Sequence, residues 1–142
     1  MARQYRLALV RRVVNAIMRP LALRGRAGPH TYVLTVRGRR TGREYSTPVT
    51  LVEDETGRWL VAPYGEVSWV RNARVAGRVK LSRAGRTEDV AITEAGAADA
   101  APVLKKYVTN VPVTRPYFDV RPDDPVSAFE AEASHHPVFR LN

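Results

Sequence analysis

The stretch VRGRRTGREYSTPV, Val36 to Val49, gathers Arg37, Arg39, Arg40 and Arg43 around Gly38 and Gly42. A guanidinium fork binds phosphate or carboxylate oxygens through two parallel N–H donors, and glycine lets backbone N–H groups approach an anion closely. Gly38-Arg39-Arg40-Thr41-Gly42 can therefore offer two forks, a hydroxyl and backbone donors from one tight turn. Phosphate suits that set. A basic hairpin tip taken alone is more often just solvated, so the rest of the chain has to decide.

Other reactive constellations are missing. The chain has no cysteine, hence no disulfide, thiolate ligand or thiol nucleophile, which suits a reducing cytoplasm. His135 and His136 are adjacent and on a strand would face opposite ways, while His30 has no ligand at useful spacing, so no metal site is expected. No G-x-S-x-G elbow, P-loop or G-x-G-x-x-G occurs. Asp123 and Asp124 lie between prolines and read as a turn and helix cap, with Asp124 as N-cap and Pro125 at the first helical position. An enzyme with this inventory needs a cofactor to carry the reactive atom, the protein supplying orientation and electrostatics.

The elements that must position the arginine turn follow from periodicity. TYVLTVR, Thr31 to Arg37, alternates as a strand with Tyr32, Leu34 and Val36 on one face, and EYSTPVTLVED returns with Tyr45, Thr47, Val49 and Leu51 on one face. Pro48 within that second strand marks an edge or bulge. RWLVAPYG continues as a strand, and VSWVRNARVAG reads as a helix ended by Gly77. RVKLSR and RTEDVAIT form a hairpin about Ala84 and Gly85, a helix covers about Ala97 to Thr109, a proline-rich loop runs from Val111 to Pro125, and HPVFRL closes as a strand. The sum is a mostly antiparallel small barrel with peripheral helices, mainly β in an α+β sense.

The 142 residues carry a net charge of +9, and its distribution is uneven. Met1 to Arg43 holds eleven arginines and no acid, whereas Glu44 to Asn142 has twelve basic residues against fourteen acids. Such a field points to an anionic partner. Residues 1–28 divide from the rest as a basic helix and linker: Val10, Val13, Val14, Ile17 and Leu21 make an amphipathic stripe. Arginines interrupt its apolar runs too soon for a membrane span or signal peptide. That helix either lies on an anionic membrane surface or packs against the barrel formed by residues 29–142.

With TVRGRRTGREYSTPV followed by WLVAPYG and SWVRN, the chain resembles the deazaflavin-dependent nitroreductase family, split-barrel oxidoreductases that use coenzyme F-420. The resemblance runs from about Tyr32 to Leu141. It rests on Gly38-Arg39-Arg40-Thr41-Gly42, Thr47-Pro48, Val61-Ala62-Pro63-Tyr64-Gly65 and Trp69-Val70-Arg71-Asn72 taken in order. The chain departs from the family pattern at Arg40, where lysine is common, at Pro63-Tyr64, at Glu66 in place of a second glycine, and at Val70-Arg71.

The resemblance implies an antiparallel, FMN-binding-like split β-barrel in which Arg39, Arg40, Thr41 and Gly42 hold the phosphate and polyglutamate tail. Tyr45, Thr47 and Pro48 would lie beside it on the second strand. Ala62, Pro63, Tyr64 and Gly65 would run along the deazaflavin ring, and Trp69, Arg71 and Asn72 would complete the cofactor site. Hydride would pass to a quinone, nitroaromatic or other unsaturated acceptor, with Tyr117 as first candidate proton donor, Phe118 as an apolar wall, and Tyr64 or Tyr107 as further candidates. No metal enters. FMN is the alternative cofactor, since it too carries a phosphate. A non-catalytic module for anionic membrane or nucleic acid is a third reading, and the scattered placement of Tyr5, Tyr32 and Tyr45 argues against a single-strand stacking platform. Split barrels of this kind often pair as homodimers. The expected compartment is the cytoplasm, at the inner face of the membrane if the basic helix engages lipid.

Overall fold

The computed structural model describes residues 29–142, so the basic helix and linker read for residues 1–28 lie outside the described residues. The alternating stretches become β1 (Thr31–Arg37), β2 (Glu44–Asp54) and β3 (Gly57–Val61). α1 (Ser68–Ala76) precedes the hairpin β4 (Arg78–Arg83) and β5 (Arg86–Glu94), and α2 (Ala97–Asn110), the short α3 (Val126–Phe129) and β6 (Val138–Leu141) follow. The strands close into an antiparallel barrel in the order β1-β2-β3-β6-β5-β4. Closure leaves none of these six strands as a free edge along its whole length.

The barrel is split by unequal ladders. β2 pairs with β1 from Thr50 opposite Thr31 down to Glu44 opposite Arg37, whereas its ladder with β3 begins only at Leu51 opposite Leu60. Residues 44–50 therefore have a strand neighbour on one side, and Pro48, opposite Val33, sits in that stretch. A missing N–H costs nothing where no second ladder exists, so the edge expected at this proline is what forms.

Two apolar clusters use opposite faces of the same strands. Leu34, Val36, Leu51, Leu60, Val79, Leu81 and Phe139 fill the barrel, and Val70 and Ala73 of α1 plug one end. On the outer face Val52, Trp59, Val61 and Val138 receive Ala100, Leu104, Tyr107 and Val108 of α2, with Phe118 and Phe129 beside them. The α2 positions recur at helical spacing, the stripe that lies against a sheet. The continuous run WLV in β3 is thus a strand buried on both sides.

The β4–β5 turn puts Ala84 at φ 51 and Gly85 at φ 77, two successive left-handed residues as a tight hairpin demands. Gly77 ends α1 at φ 68, as its position predicts. Two local expectations fail. The loop from Val111 contains a 3-10 turn, Pro112–Tyr117, begun by Pro112. Asp124 is no helix cap: Pro125 occupies the N-cap of α3, and the Asp124 carboxylate accepts the Arg121 N–H at 2.8 Å. The carboxylate reaches back three residues inside a loop turn that the Asp124 N–H closes on the Arg121 carbonyl at 3.0 Å, and that bond takes the oxygen from the helix.

An alanine in the left-handed region costs roughly 1–2 kcal/mol, partly offset in glycine by its greater unfolded-state freedom. Ala84→Gly should therefore raise stability by about 0.5–1 kcal/mol in urea unfolding; a loss of stability would show that the turn is not strained at Ala84.

Candidate functional site

The arginine turn closes on its own backbone: Gly38 N–H donates to the Arg43 carbonyl at 2.6 Å and Gly42 N–H to the Gly38 carbonyl at 3.0 Å. Gly42 sits at φ 73, where a side chain is disfavoured. A Cβ on Gly38 would lie 2.6 Å from the Tyr45 ring, so the ring folds over the turn because nothing projects there. The Thr41 hydroxyl lies 3.3 Å from the Tyr45 hydroxyl and accepts the Arg43 N–H at 3.2 Å. Arg40, Thr41, Gly42 and Arg43 are exposed, so this rim of donors faces solvent.

Arg39 has a different job. Its backbone N–H and its guanidinium both donate to Asn72 Oδ1, at 3.1 and 2.7 Å, and Asn72 is buried. One amide oxygen on α1 thus ties the turn to the helix that plugs the barrel. Residues 39 and 72, far apart in sequence, share one contact. The two neighbours of Asn72 diverge: Trp69 is half-buried and tilts against Phe139 at 6.1 Å, while Arg71 is exposed. Thr47 and Pro48 are half-buried on β2, opposite Leu34 and Val33, in the stretch with one strand neighbour.

After Val61 the chain leaves β3 and turns through Ala62, Pro63, Tyr64 and Gly65 into α1. Ala62 is fully buried, its N–H bound to the Pro137 carbonyl at 2.9 Å. Gly65 has φ 86, and a Cβ there would meet the His135 carbonyl at 3.3 Å. Tyr64 stands edge-on to Tyr117, with ring centroids 4.9 Å apart and 84° between planes. The two tyrosines singled out from sequence are therefore in direct contact, although 3-10 turn and strand end bring them from distant segments. Such pairs are worth about 0.5–1.5 kcal/mol beyond area burial.

Phe118 and Tyr107 take other places. Phe118 is buried and stacks on His136 with centroids 3.9 Å apart, so it pins the loop from beneath rather than walling an open site. Tyr107 lies in the outer cluster, and burial, with a smaller contribution from Tyr64, pushes its hydroxyl well above the ordinary range. Glu66, standing where the family pattern has glycine, forms an ion pair with Arg74 at 3.0 Å, and Arg74 also holds Glu94 at 2.8 Å. It serves the helix surface.

His136, weighed from sequence only as a metal ligand, has another role. It is buried, with Nδ1 3.2 Å from the Ala62 carbonyl, and Glu132 Oε1 lies 3.8 Å from Nε2 while accepting the Asp119 N–H at 3.0 Å. The i,i+4 spacing of Glu132 and His136 ahead of an apolar strand was the one available signal. Among the described residues no group of three metal-ligating side chains converges, and no helix is long and apolar enough to cross a membrane.

Two outcomes follow from these contacts. Asn72→Ala leaves the Arg39 donors without their acceptor and should lower unfolding free energy by about 1–3 kcal/mol; a change within error would mean the turn is held otherwise. Burial lowers the His136 pKa, opposed by hydrogen bonding to Ala62, by Glu132 and by the Tyr117 backbone, with His135 adding slightly to the lowering. The imidazole is thus neutral in both states above its unfolded value, and stability is lost as pH falls from about 6.5 towards the depressed folded value, because the unfolded chain takes the proton first. His136→Asn should remove that component from stability measured between neutral and mildly acidic pH, whereas an unchanged slope would assign it to other groups.

Against this geometry stand the comparisons. A family model described as F420H(2)-dependent quinone reductase matches residues 8–121. The solved structure of Atu2129, of unknown function, from Agrobacterium tumefaciens is 14% identical with a TM-score of 0.59, over 80% of this chain and 48% of that one. The chain thus spans about half the length of that relative. An F420-H2 dependent reductase, FDR-A, is 19% identical with a TM-score of 0.56, over 79% of this chain and 93% of that one. A structure described as a domain-swapped dimer is 18% identical with a TM-score of 0.56, over 92% of this chain and 96% of that one. No curated protein matches. At these identities the structural likenesses establish the split-barrel fold.

Proposed function

The chain belongs to the F420H(2)-dependent quinone reductase family, and from that premise we propose that it reduces a quinone at the notch between the arginine turn and the Tyr64–Tyr117 pair. The observation that carries this reading is the Arg39–Asn72 clamp, which ties the turn to α1 and hence to the aromatic turn that leads into that helix. The residues present suit the coenzyme. Exposed Arg40, Arg43 and Thr41 form a donor set for an anionic tail, and the turn through residues 62–65 would lie along a flat ring. Gly42, Tyr45, Thr47, Pro48, Pro63, Trp69 and Arg71 border the same notch in this reading, with Trp69 acting through the barrel core.

The bound reduced coenzyme supplies a hydride; the protein supplies geometry and a proton. Turn and clamp would fix the tail so that the ring lies along residues 62–65, where near-contact placement lowers the barrier more than any acid strength. The Tyr64 and Tyr117 rings would stack or flank the acceptor and exclude water. The quinone gains two electrons and one hydrogen as hydride, and the second hydrogen as a proton from the Tyr117 hydroxyl or a water it holds, giving the hydroquinone. A flat, planar acceptor fits an aromatic edge; nitroaromatics are the second acceptor class. A homodimer is consistent with the dimeric relative. The basic segment 1–28 would bring the protein to anionic membranes, where lipid quinones reside.

Arg40→Ala should weaken coenzyme F-420 binding about 10–100-fold in a fluorescence titration, since a charge-assisted contact is worth roughly 1.5–3 kcal/mol, with stability unmoved. Tyr117→Phe should keep that affinity and lower kcat for a quinone by about 100-fold, the usual scale for removing a general acid. Equal binding by Arg40→Ala would remove the turn from the site, and undiminished turnover by Tyr117→Phe would move the proton source to water alone.

A further inference from the structure

Three segments that no strand ladder holds meet beneath the tyrosine pair. The last β3–β6 partners are Val61 and Val138, and past them a single backbone bond, Ala62 N–H to the Pro137 carbonyl at 2.9 Å, joins the turn after β3 to the turn before β6. The third segment is the loop after Pro112–Tyr117, which lies outside the barrel ladders. Polar backbone in such a junction must find partners or destabilise the fold.

We propose that His136, seated on Glu132, is a positioning residue that locks these three segments together and thereby sets the Tyr64–Tyr117 arrangement against which the acceptor is held. The assignment rests on the reading of Tyr117 given above. His136 Nδ1 meets the carbonyl of Ala62, two residues before Tyr64, at 3.2 Å. Its ring stacks on Phe118, the residue after Tyr117, at 3.9 Å with 23° between planes. Glu132 reaches both sides of the lock: Oε1 accepts the Asp119 N–H at 3.0 Å and lies 3.8 Å from Nε2. One imidazole so touches the chain next to each tyrosine.

Packing alone would not need a histidine. An apolar ring of similar size could fill the space, but it would take from the buried Ala62 carbonyl its side-chain donor, leaving only the Gly65 N–H at 3.3 Å, and would remove the imidazole beside the Glu132 carboxylate. A fully satisfied polar junction specifies one arrangement, where an apolar one tolerates several. The edge contact between the tyrosine rings is weak, and its geometry depends on where their backbones are held.

The test uses two variants of the full chain: His136→Phe, which keeps the stack and loses both nitrogens, and His136→Asn, whose amide can restore the donor to Ala62. Amide hydrogen exchange is read on coenzyme-free protein, and quinone kinetics with coenzyme affinity on the loaded enzyme. In His136→Phe, exchange at residues 62–67 and 117–119 should rise about tenfold while barrel strands keep their protection, and kcat should fall about tenfold at coenzyme affinity within about threefold. His136→Asn should recover most of both. Overturning results are unchanged local exchange in His136→Phe, a uniform rise over the barrel, or no recovery by His136→Asn. Should Tyr117→Phe leave turnover intact while His136→Phe still loosens both loops, the reading of Tyr117 fails and the lock stands. Should Tyr117→Phe lose turnover while His136→Phe leaves both loops protected, the lock fails and Tyr117 keeps its role.

Discussion

The mismatch between the two ladders of β2 governs the molecule. Because β3 ends its pairing at Leu51, the first part of β2, which carries Tyr45, Thr47 and Pro48, is supported by β1 alone. A barrel with full ladders would bury that strand and close over any ligand. In the proposed function the missing partner leaves room for a notch with the arginine turn at one end and the turn after β3 along its side. Tyr45, Thr47 and Pro48 lie in that gap, whereas the candidates Ala62 and Asn72 are buried.

An open notch needs rigid walls, and two buried polar side chains provide them. Asn72 secures the arginine turn with a single oxygen that accepts both donors of Arg39. His136 secures the aromatic side through Ala62 and Phe118. Asn72 lies midway along α1 and His136 just ahead of β6, and both are satisfied, as buried polar groups must be. The apolar clusters give the barrel its stability, but they are indifferent to where the loops lie. Direction at the notch comes from these hydrogen bonds.

This division of labour also separates the arginines. Arg39, adjacent to Arg40 in the turn, is held by Asn72, whereas Arg40 and Arg43 face solvent with their donors outward. Within Trp69-Val70-Arg71-Asn72 the helix period sends Trp69 and Val70 to the core, Arg71 outward and Asn72 to the turn. A motif that reads as a unit in sequence is therefore shared among packing, solvent and clamp. In the proposed function the turn would serve as an anchored rim for the coenzyme tail and the tyrosine pair as an aromatic edge for the acceptor.

The sequence by itself determined the strands, the helices and the turns, since alternation at Tyr32, Leu34 and Val36, the α2 stripe and the placement of Gly42, Gly77 and Gly85 are local physics with period 2, period 3.6 and positive φ. It also determined the family, because the order of its four motifs is a property of the chain. What it left open were the outcomes of competition and of distance. Asp124 had two backbone partners on offer, and the Arg121 turn took it. Phe118 and Tyr107 were aromatics like Tyr117, and only the packing of α2 and the loop on the outer sheet face turned those two inward. Tyr64 meeting Tyr117, Arg39 meeting Asn72 and His136 meeting Ala62 are contacts between segments far apart along the chain, and nothing in local spacing encodes them. They depend on how the barrel closes, which is a global solution to burying two faces of the same strands at once.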